Sequence, residues 1–155
     1  MPLEPEIYIL PGLPPDAEAI RALTRAAYAK WVPLIGREPL PMAADYDRAL
    51  LEHEFDLLMV DGRLVGVIET KLEPDHVWIE NVAVVPGEHG KGWGRRLLAH
   101  AERKAQAANR TELRLLTNPA FQGNVRLYQS IGYTITRTEP FRGGTTVYMS
   151  KQIGP

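Results

Sequence analysis

The stretch Val77-Trp78-Ile79-Glu80-Asn81-Val82-Ala83-Val84-Val85-Pro86-Gly87-Glu88-His89-Gly90-Lys91-Gly92-Trp93-Gly94-Arg95-Arg96-Leu97-Leu98 reads as a strand, a glycine-rich loop and the start of a helix. In an extended chain Val77 and Ile79 point one way and Val82 and Val84 the other, so the apolar parity changes across Glu80-Asn81. A strand covered on both faces fits that pattern, and so does a strand carrying a β-bulge. A carboxylate in the middle of such a run is costly without a partner, which singles out Glu80 as a candidate for chemistry. Pro86 stops the ladder. Gly90, Gly92 and Gly94 then alternate with Lys91 and Trp93, presenting successive N–H groups with no Cβ in the way. The helix that follows carries Leu97, Leu98, Ala101, Ala105 and Ala108 on one stripe, with most of its charges outside it. Its free N–H groups amount to about half a positive charge, and Lys91, Arg95 and Arg96 stand beside them, so the loop is built to hold a phosphate.

Two common phosphate loops do not match. A Walker loop needs Ser or Thr after its lysine, and Lys91 is followed by Gly92. A dinucleotide fingerprint is G-x-G-x-x-G in the first βα turn, whereas this is G-x-G-x-G after several earlier elements. The pattern Val84-x-Pro86-x-x-His89-Gly90-Lys91-Gly92-Trp93-Gly94, ending in Arg95-Arg96-Leu97-Leu98, instead resembles the acyl-CoA pyrophosphate loop of the GNAT superfamily of N-acyltransferases. His89 stands where that family usually has Gln or Arg. Because backbone supplies most of the phosphate contacts, the replacement is expected to be tolerated.

A chain of 155 residues is one domain of common size, expected to span 1–155. A net charge of −1 with interspersed signs argues against a nucleic-acid grip. With no cysteine there is neither a disulfide framework nor thiol catalysis. The opening Met1-Pro2-Leu3-Glu4-Pro5-Glu6 lacks a basic n-region and no apolar run reaches the ~20 residues that span a bilayer, so a soluble cytoplasmic protein away from membranes is expected. His53, His76 and His100 have no ligand-like spacing, so no metal is expected.

Ile7–Leu10 reads as a first strand, and Pro14-Pro15-Asp16 as the cap of a helix with a stripe of Ile20, Leu23, Ala27 and Trp31. Pro33, Pro39 and Pro41 break the chain into a loop before a second helix from about Ala43 to His53, with Tyr46 and Leu50 inward. Asp61-Gly62 joins strands 55–60 and 63–70, and Glu73-Pro74-Asp75 turns into the central strand, giving an antiparallel meander. After the loop helix come a strand at 113–117, parallel to the central one, a short helix at 123–131, and closing strands at 133–138 and 145–149. The order βααβββαβαββ makes an α/β fold with a mixed sheet, and it is also the GNAT order.

The resemblance extends to Asn124-Val125-Arg126-Leu127-Tyr128-Gln129-Ser130-Ile131-Gly132-Tyr133, which looks like that family's Asn-x-x-x-Leu-Tyr-x-x-x-Gly-Phe/Tyr segment. It implies an N-acetyltransferase with acetyl-CoA as cosubstrate, and two central parallel strands splayed to admit pantetheine. The backbone of Val82, Ala83 and Val84 would pair with the pantetheine arm. His89, Gly90, Lys91, Gly92, Trp93, Gly94 and Arg95 would form the pyrophosphate loop, with the Trp93 indole packing inward. Asn124, which also suits the helix N-cap, would contact the cofactor, and Tyr128 would face the thioester sulfur.

Freeing a lysine-like amine (pKa ~10.4) of its proton at pH 7 costs about 4–5 kcal/mol, more than protonating a thiolate of pKa ~8.5. Glu80 is therefore read as the base, directly or through a water. Tyr128 is read as the acid and N–H groups near Val82 as the oxyanion donors. Tyr28, Trp31 and Tyr46 are candidates to line the acceptor pocket, since the Tyr28–Met42 stretch overlies the substrate groove in GNAT folds. A small amine, an amino acid or a peptide N-terminus would suit it, in a monomer or homodimer. A non-catalytic acyl-CoA sensor and an enzyme acetylating charged tRNA are the alternatives; the near-neutral charge speaks against the second.

Overall fold

Turn chemistry sets the sheet. In the computed structural model, which describes residues 4–154, Asp61 (φ 50°) and Gly62 (φ 77°) both take the left-handed region, the two-residue hairpin geometry that matches strand twist. They join β2 (Glu54–Val60) to β3 (Arg63–Leu72). A second turn, closed by Glu73 N donating to His76 O at 2.9 Å, leads into β4 (Val77–Val84). With β1 (Ile7–Pro11), β5 (Glu112–Thr117), β6 (Thr134–Phe141) and β7 (Gly144–Gln152) they form one seven-stranded sheet in the order β1-β2-β3-β4-β5-β7-β6. The expected mixed sheet is found. Met1–Leu3, part of the N-terminal stretch read above, lie outside the described residues.

The helices are α1 (Ala17–Tyr28), α2 (Val32–Ile35), α3 (Tyr46–Glu52), α4 (Trp93–Ala107) and α5 (Gln122–Ser130). α2 is a single turn, so the expected order holds with that turn added. On one face Ile20, Leu23 and Tyr46 of α1 and α3 bury Phe55, Val67 and Ala83 of the sheet. On the other, Leu97, Leu98 and Ala101 of α4 bury Leu58, Ile68, Ile79 and Leu113, with Tyr128 of α5 in the same cluster. Each face is thus sealed by the apolar sides of two helices.

Several local expectations are corrected. α1 ends at Tyr28, so Trp31 falls off its stripe into a 3₁₀ turn (Ala29–Trp31). The Asp16 carboxylate does not cap α1; it accepts from Leu13 N at 2.7 Å, closing the preceding 3₁₀ turn Pro14–Asp16. Pro33 opens α2 instead of breaking the chain, because the first turn of a helix has no use for its missing N–H. Asn124 is not the N-cap of α5. That position is Phe121, which places Asn124 inside the first turn.

The parity change in β4 is a bulge. Glu69 of β3 pairs with Asn81 and Thr70 with Ile79, which leaves Glu80 as the extra residue. Val77, Ile79, Val82 and Val84 therefore all pack against the α4-side core, while Ala83 belongs to the α1-side core. β4 leaves β5 after Trp78, just before the bulge. The two pair only through Val77↔Leu113 and Trp78↔Arg114, although β5 continues to Thr117.

Gly66 of β3 sits under α4. A Cβ there would lie 3.0 Å from Leu97 Cδ1 and 3.2 Å from Ala83 O, and the second neighbour is backbone that cannot rotate away. Gly66→Ala is expected to lower the unfolding free energy by about 1–3 kcal/mol through overpacking, measured by urea denaturation; Gly123→Ala, which meets nothing within 4 Å, is the control.

Candidate active site

The splay of β4 from β5 opens two clefts that meet in the gap. The larger, about 280 Å³, runs along the glycine loop and is bounded by Val84, Gly90, Gly92, Gly94 and Leu127. The second, about 110 Å³, lies beneath the 35–41 segment and the β6–β7 hairpin. Val82, Asn124 and Tyr128 line both.

The glycine loop has a left-handed backbone at Gly90 and Gly92, each with φ 81°. Gly92 is the N-cap of α4, and Arg96 N is the first to bond back, to Gly92 O at 3.1 Å. From His89 to Arg95 no main-chain N–H donates to a protein acceptor among the described residues. A loop of seven such amides at the positive end of a fifteen-residue helix is chemically suited to a diphosphate. Glu88 braces it by accepting from Lys91 Nζ at 2.9 Å and Trp93 Nε1 at 3.2 Å. Lys91, then Trp93, hold the Glu88 carboxyl below the usual carboxylate range. Lys91 is thereby tied to a carboxylate, and Trp93, only 9% exposed, packs in the core as expected. His89 is exposed on the cleft rim, its imidazole held below its ordinary pKa by partial burial and by the charge of Lys30. Gly94 passes close to α5, where a Cβ would come within 3.3 Å of Leu127 Cδ2. Arg95 donates to Ser130 Oγ at 2.8 Å, joining α4 to α5 beside the cleft.

In the smaller cleft the bulge turns Glu80 outward from the sheet. Glu80 Oε2 accepts from Trp78 Nε1 at 2.7 Å and lies 3.5 Å from Lys71 Nζ. Its side chain remains 42% exposed. Tyr28 donates to Asn81 Oδ1 at 2.8 Å, and Asn81 Nδ2 reaches Thr24 Oγ1 at 3.4 Å, so both central polar residues of β4 have partners. Tyr128 is 8% exposed and its ring lies 5.8 Å from that of Tyr133. Its hydroxyl has no hydrogen-bond partner among the described residues, and burial pushes its pKa up to about 12. Tyr128 lines both clefts.

Of the three aromatics expected at the acceptor pocket, Tyr28 lines the cleft. Trp31 stands one layer back, stacked on Phe121 with centroids 4.4 Å apart, and it is Phe121 that lines the cleft. Tyr46 is fully buried and donates to Pro41 O at 2.7 Å, so it belongs to the core. Ala83 also faces that core, although its main chain stays on the β4 edge. Sequence reasoning missed Phe121, Phe141 and Thr146, which the fold brings in from distant segments. It also missed Glu69, 4% exposed and bonded to His53 Nδ1 at 2.6 Å, directly opposite Asn81. Burial raises the Glu69 pKa and His53 opposes the rise. A lone Glu in the run Val65-Gly66-Val67-Ile68-Glu69-Thr70 was the available signal. No group of three His, Cys, Asp or Glu side chains that could hold a metal occurs among the described residues. None of the described helices is long and apolar enough to cross a membrane.

Comparison with known proteins gives a single picture. The model of the Acetyltransferase (GNAT) family matches residues 18–133. No curated protein matches the chain in sequence. Among solved structures the chain is similar to the PaiA N-acetyltransferase of Thermoplasma acidophilum in complex with coenzyme A, at 19% identity and TM-score 0.81, over 95% of this chain and 99% of that one. It is also similar to the ribosomal-protein-S18-alanine N-acetyltransferase of Escherichia coli, at 18% identity and TM-score 0.80, over 97% and 96%. A third is a GNAT family acetyltransferase of Elizabethkingia anophelis with acetyl-CoA bound, at 21% identity and TM-score 0.68, over 95% and 98%. With the family match covering most of the chain, and with a splayed mixed sheet whose loop amides face the gap, the protein belongs to the GNAT acetyltransferase family.

Proposed function

We propose that residues 1–155 form one acetyltransferase domain that moves an acetyl group from acetyl-CoA to a primary amine by direct attack. The observation that carries this reading is the meeting of the two clefts at Val82, Asn124 and Tyr128. A diphosphate held by the amides of residues 89–95 would direct its thioester arm along the edge of β4 that β5 has left. An amine would enter from the opposite cleft. Acetyl-CoA, when bound, supplies the activated acetyl group and a thiol leaving group.

The chain's own residues then divide the work. Glu80 takes the proton of the entering ammonium, directly or through a water. Trp78 and Lys71, both on Oε2, leave Glu80 Oε1 with no hydrogen-bond partner among the described residues, available for that proton. Main-chain N–H groups near Val82 stabilise charge developing on the acyl oxygen. The Tyr128 hydroxyl donates to the departing sulfur. With no cysteine in the chain, no thiol can carry an acyl intermediate.

The reading is tested by thiol release from acetyl-CoA over a panel of amines, with calorimetric titration of CoA alongside. Turnover with at least one amine is expected. CoA binding without turnover across the panel would favour the sensing module instead. The loop gives a second expected result. Gly92→Ala places a Cβ in a left-handed conformation that costs about 1–2 kcal/mol and that the free loop can relieve by leaving it, so re-forming the loop around CoA should raise the dissociation constant by up to about tenfold, while Gly123→Ala leaves it unchanged.

A further inference from the structure

Of the side chains lining the smaller cleft, two are charged, Glu80 and Arg37. Their situations differ. Glu80 already has Trp78 and Lys71, whereas Arg37 has no carboxylate within ion-pair distance among the described residues. Its one hydrogen bond there is a long one, Nη1 to Glu38 O at 3.4 Å. The adjacent Glu38 carboxylate is taken by Arg25 at 2.8 Å. The Arg37 guanidinium lies over the Phe141 ring, Cζ 5.3 Å from its centroid, and so bridges the 35–41 segment to the β6–β7 hairpin across the cleft mouth. A guanidinium laid on an aromatic face is fixed in place and keeps its edge donors available. Ile35, Leu40, Leu116 and Phe121 give the cleft apolar walls, with Asn118 and Thr146 among its polar residues.

We infer that the acceptor is an amine that also carries a carboxylate, its ammonium directed to Glu80 and its carboxylate paired with Arg37. The inference rests on the acetyl-transfer reading and narrows it. A monocarboxylate suits the cleft better than a phosphate dianion, because one cation lines it and Glu80 would repel the second negative charge. The planar, two-pronged geometry of guanidinium also matches a carboxylate. The apolar walls accommodate a hydrocarbon body between the two ends.

The test measures kcat/KM by thiol release from acetyl-CoA for matched pairs of amines with and without the carboxylate. Phenylalanine is paired with phenethylamine, and the straight-chain amino acids from 3-aminopropanoate to 6-aminohexanoate with alkylamines of the same length. Wild-type protein should favour the carboxylate-bearing member of at least one pair by about tenfold to a hundredfold, mainly through KM. Arg37→Gln should bring that ratio to within about threefold of one, Arg37→Lys should restore part of it, and Arg142→Gln should leave it alone. Arg142 also lies over Phe141, Cζ at 5.2 Å, yet does not line the cleft. Wild-type protein that uses the carboxylate-free member of every pair equally well overturns the inference, as does an Arg37→Gln ratio equal to wild type; both leave acetyl transfer standing. CoA binding with no amine turned over fails the transfer reading itself, and this inference with it.

Discussion

Replacing Glu80 by Gln should lower kcat for acetyl transfer about 10²- to 10⁴-fold and leave the CoA dissociation constant unchanged. The amide is isosteric and can still accept from Trp78 Nε1, which bonds Oε2 in the native protein. The change removes proton acceptance together with the charge that faces Lys71 at 3.5 Å. At pH 7 a lysine-like amine is almost wholly protonated, and releasing that proton unaided costs about 4–5 kcal/mol. The variant must draw on the free-amine fraction, so its residual rate should climb about tenfold per pH unit and gain on wild type as the pH nears the amine's own pKa. Stopped-flow or endpoint thiol release from pH 6 to 10, with calorimetry for CoA, reads both effects. A variant rate parallel to wild type across that range would remove Glu80 from the chemistry and leave it a structural partner of Trp78 and Lys71. Its side chain is 42% exposed, so unfolding stability should move by no more than about 0.5 kcal/mol, which keeps the kinetic result interpretable.

For Tyr128→Phe a loss of about tenfold to a hundredfold in kcat is expected, with KM for the amine and CoA affinity little altered. The ring that packs beside Tyr133 is kept and only the hydroxyl is removed. That hydroxyl has no protein partner among the described residues, so its deletion strands no buried donor or acceptor. Burial raises its pKa to about 12. A phenol whose folded value is raised stays protonated at every pH below it, so donor capacity is present through the neutral and mildly alkaline range and is lost only as the pH rises through about 12. Wild-type activity should accordingly show no alkaline limb from Tyr128 below about pH 11. Full activity in Tyr128→Phe would mean that water protonates the thiolate, a step already less demanding than freeing the amine.

Particular elements show how far the chain could be read in advance. Asp61-Gly62 announced its hairpin because two consecutive positive φ values admit few other residue pairs. The glycine loop was legible for a related reason, since spaced glycines, a strand before them and an amphipathic helix after them occupy one contiguous segment. The parity change at Glu80-Asn81 was visible too, and pairing with β3 resolved it as a bulge. Less could be foreseen around the smaller cleft. Trp31 shared a helical period with Ile20, Leu23 and Ala27, and the helix ended three residues too early for that period to apply. Tyr46 looked like a pocket residue from its place in the chain, and packing against Phe55 took it into the core. Phe141 and Thr146 lie far from Arg37 in sequence and share a cleft with it because β7 inserts between β5 and β6 and brings the β6–β7 hairpin across the gap to the 35–41 segment.

By itself, then, the sequence determined what depends on neighbours along the chain: the turns, the glycine loop with its helix, the alternation of strands and helices, and the family these imply. Short-range backbone preferences and hydrophobic periods need no knowledge of distant residues, so they can be read without the fold. The tertiary structure alone decided where β4 parts from β5, that Glu80 is the bulged residue, and which cation lines the smaller cleft. Those features arise from long-range strand register and from which buried groups find partners, and neither is written into any single segment.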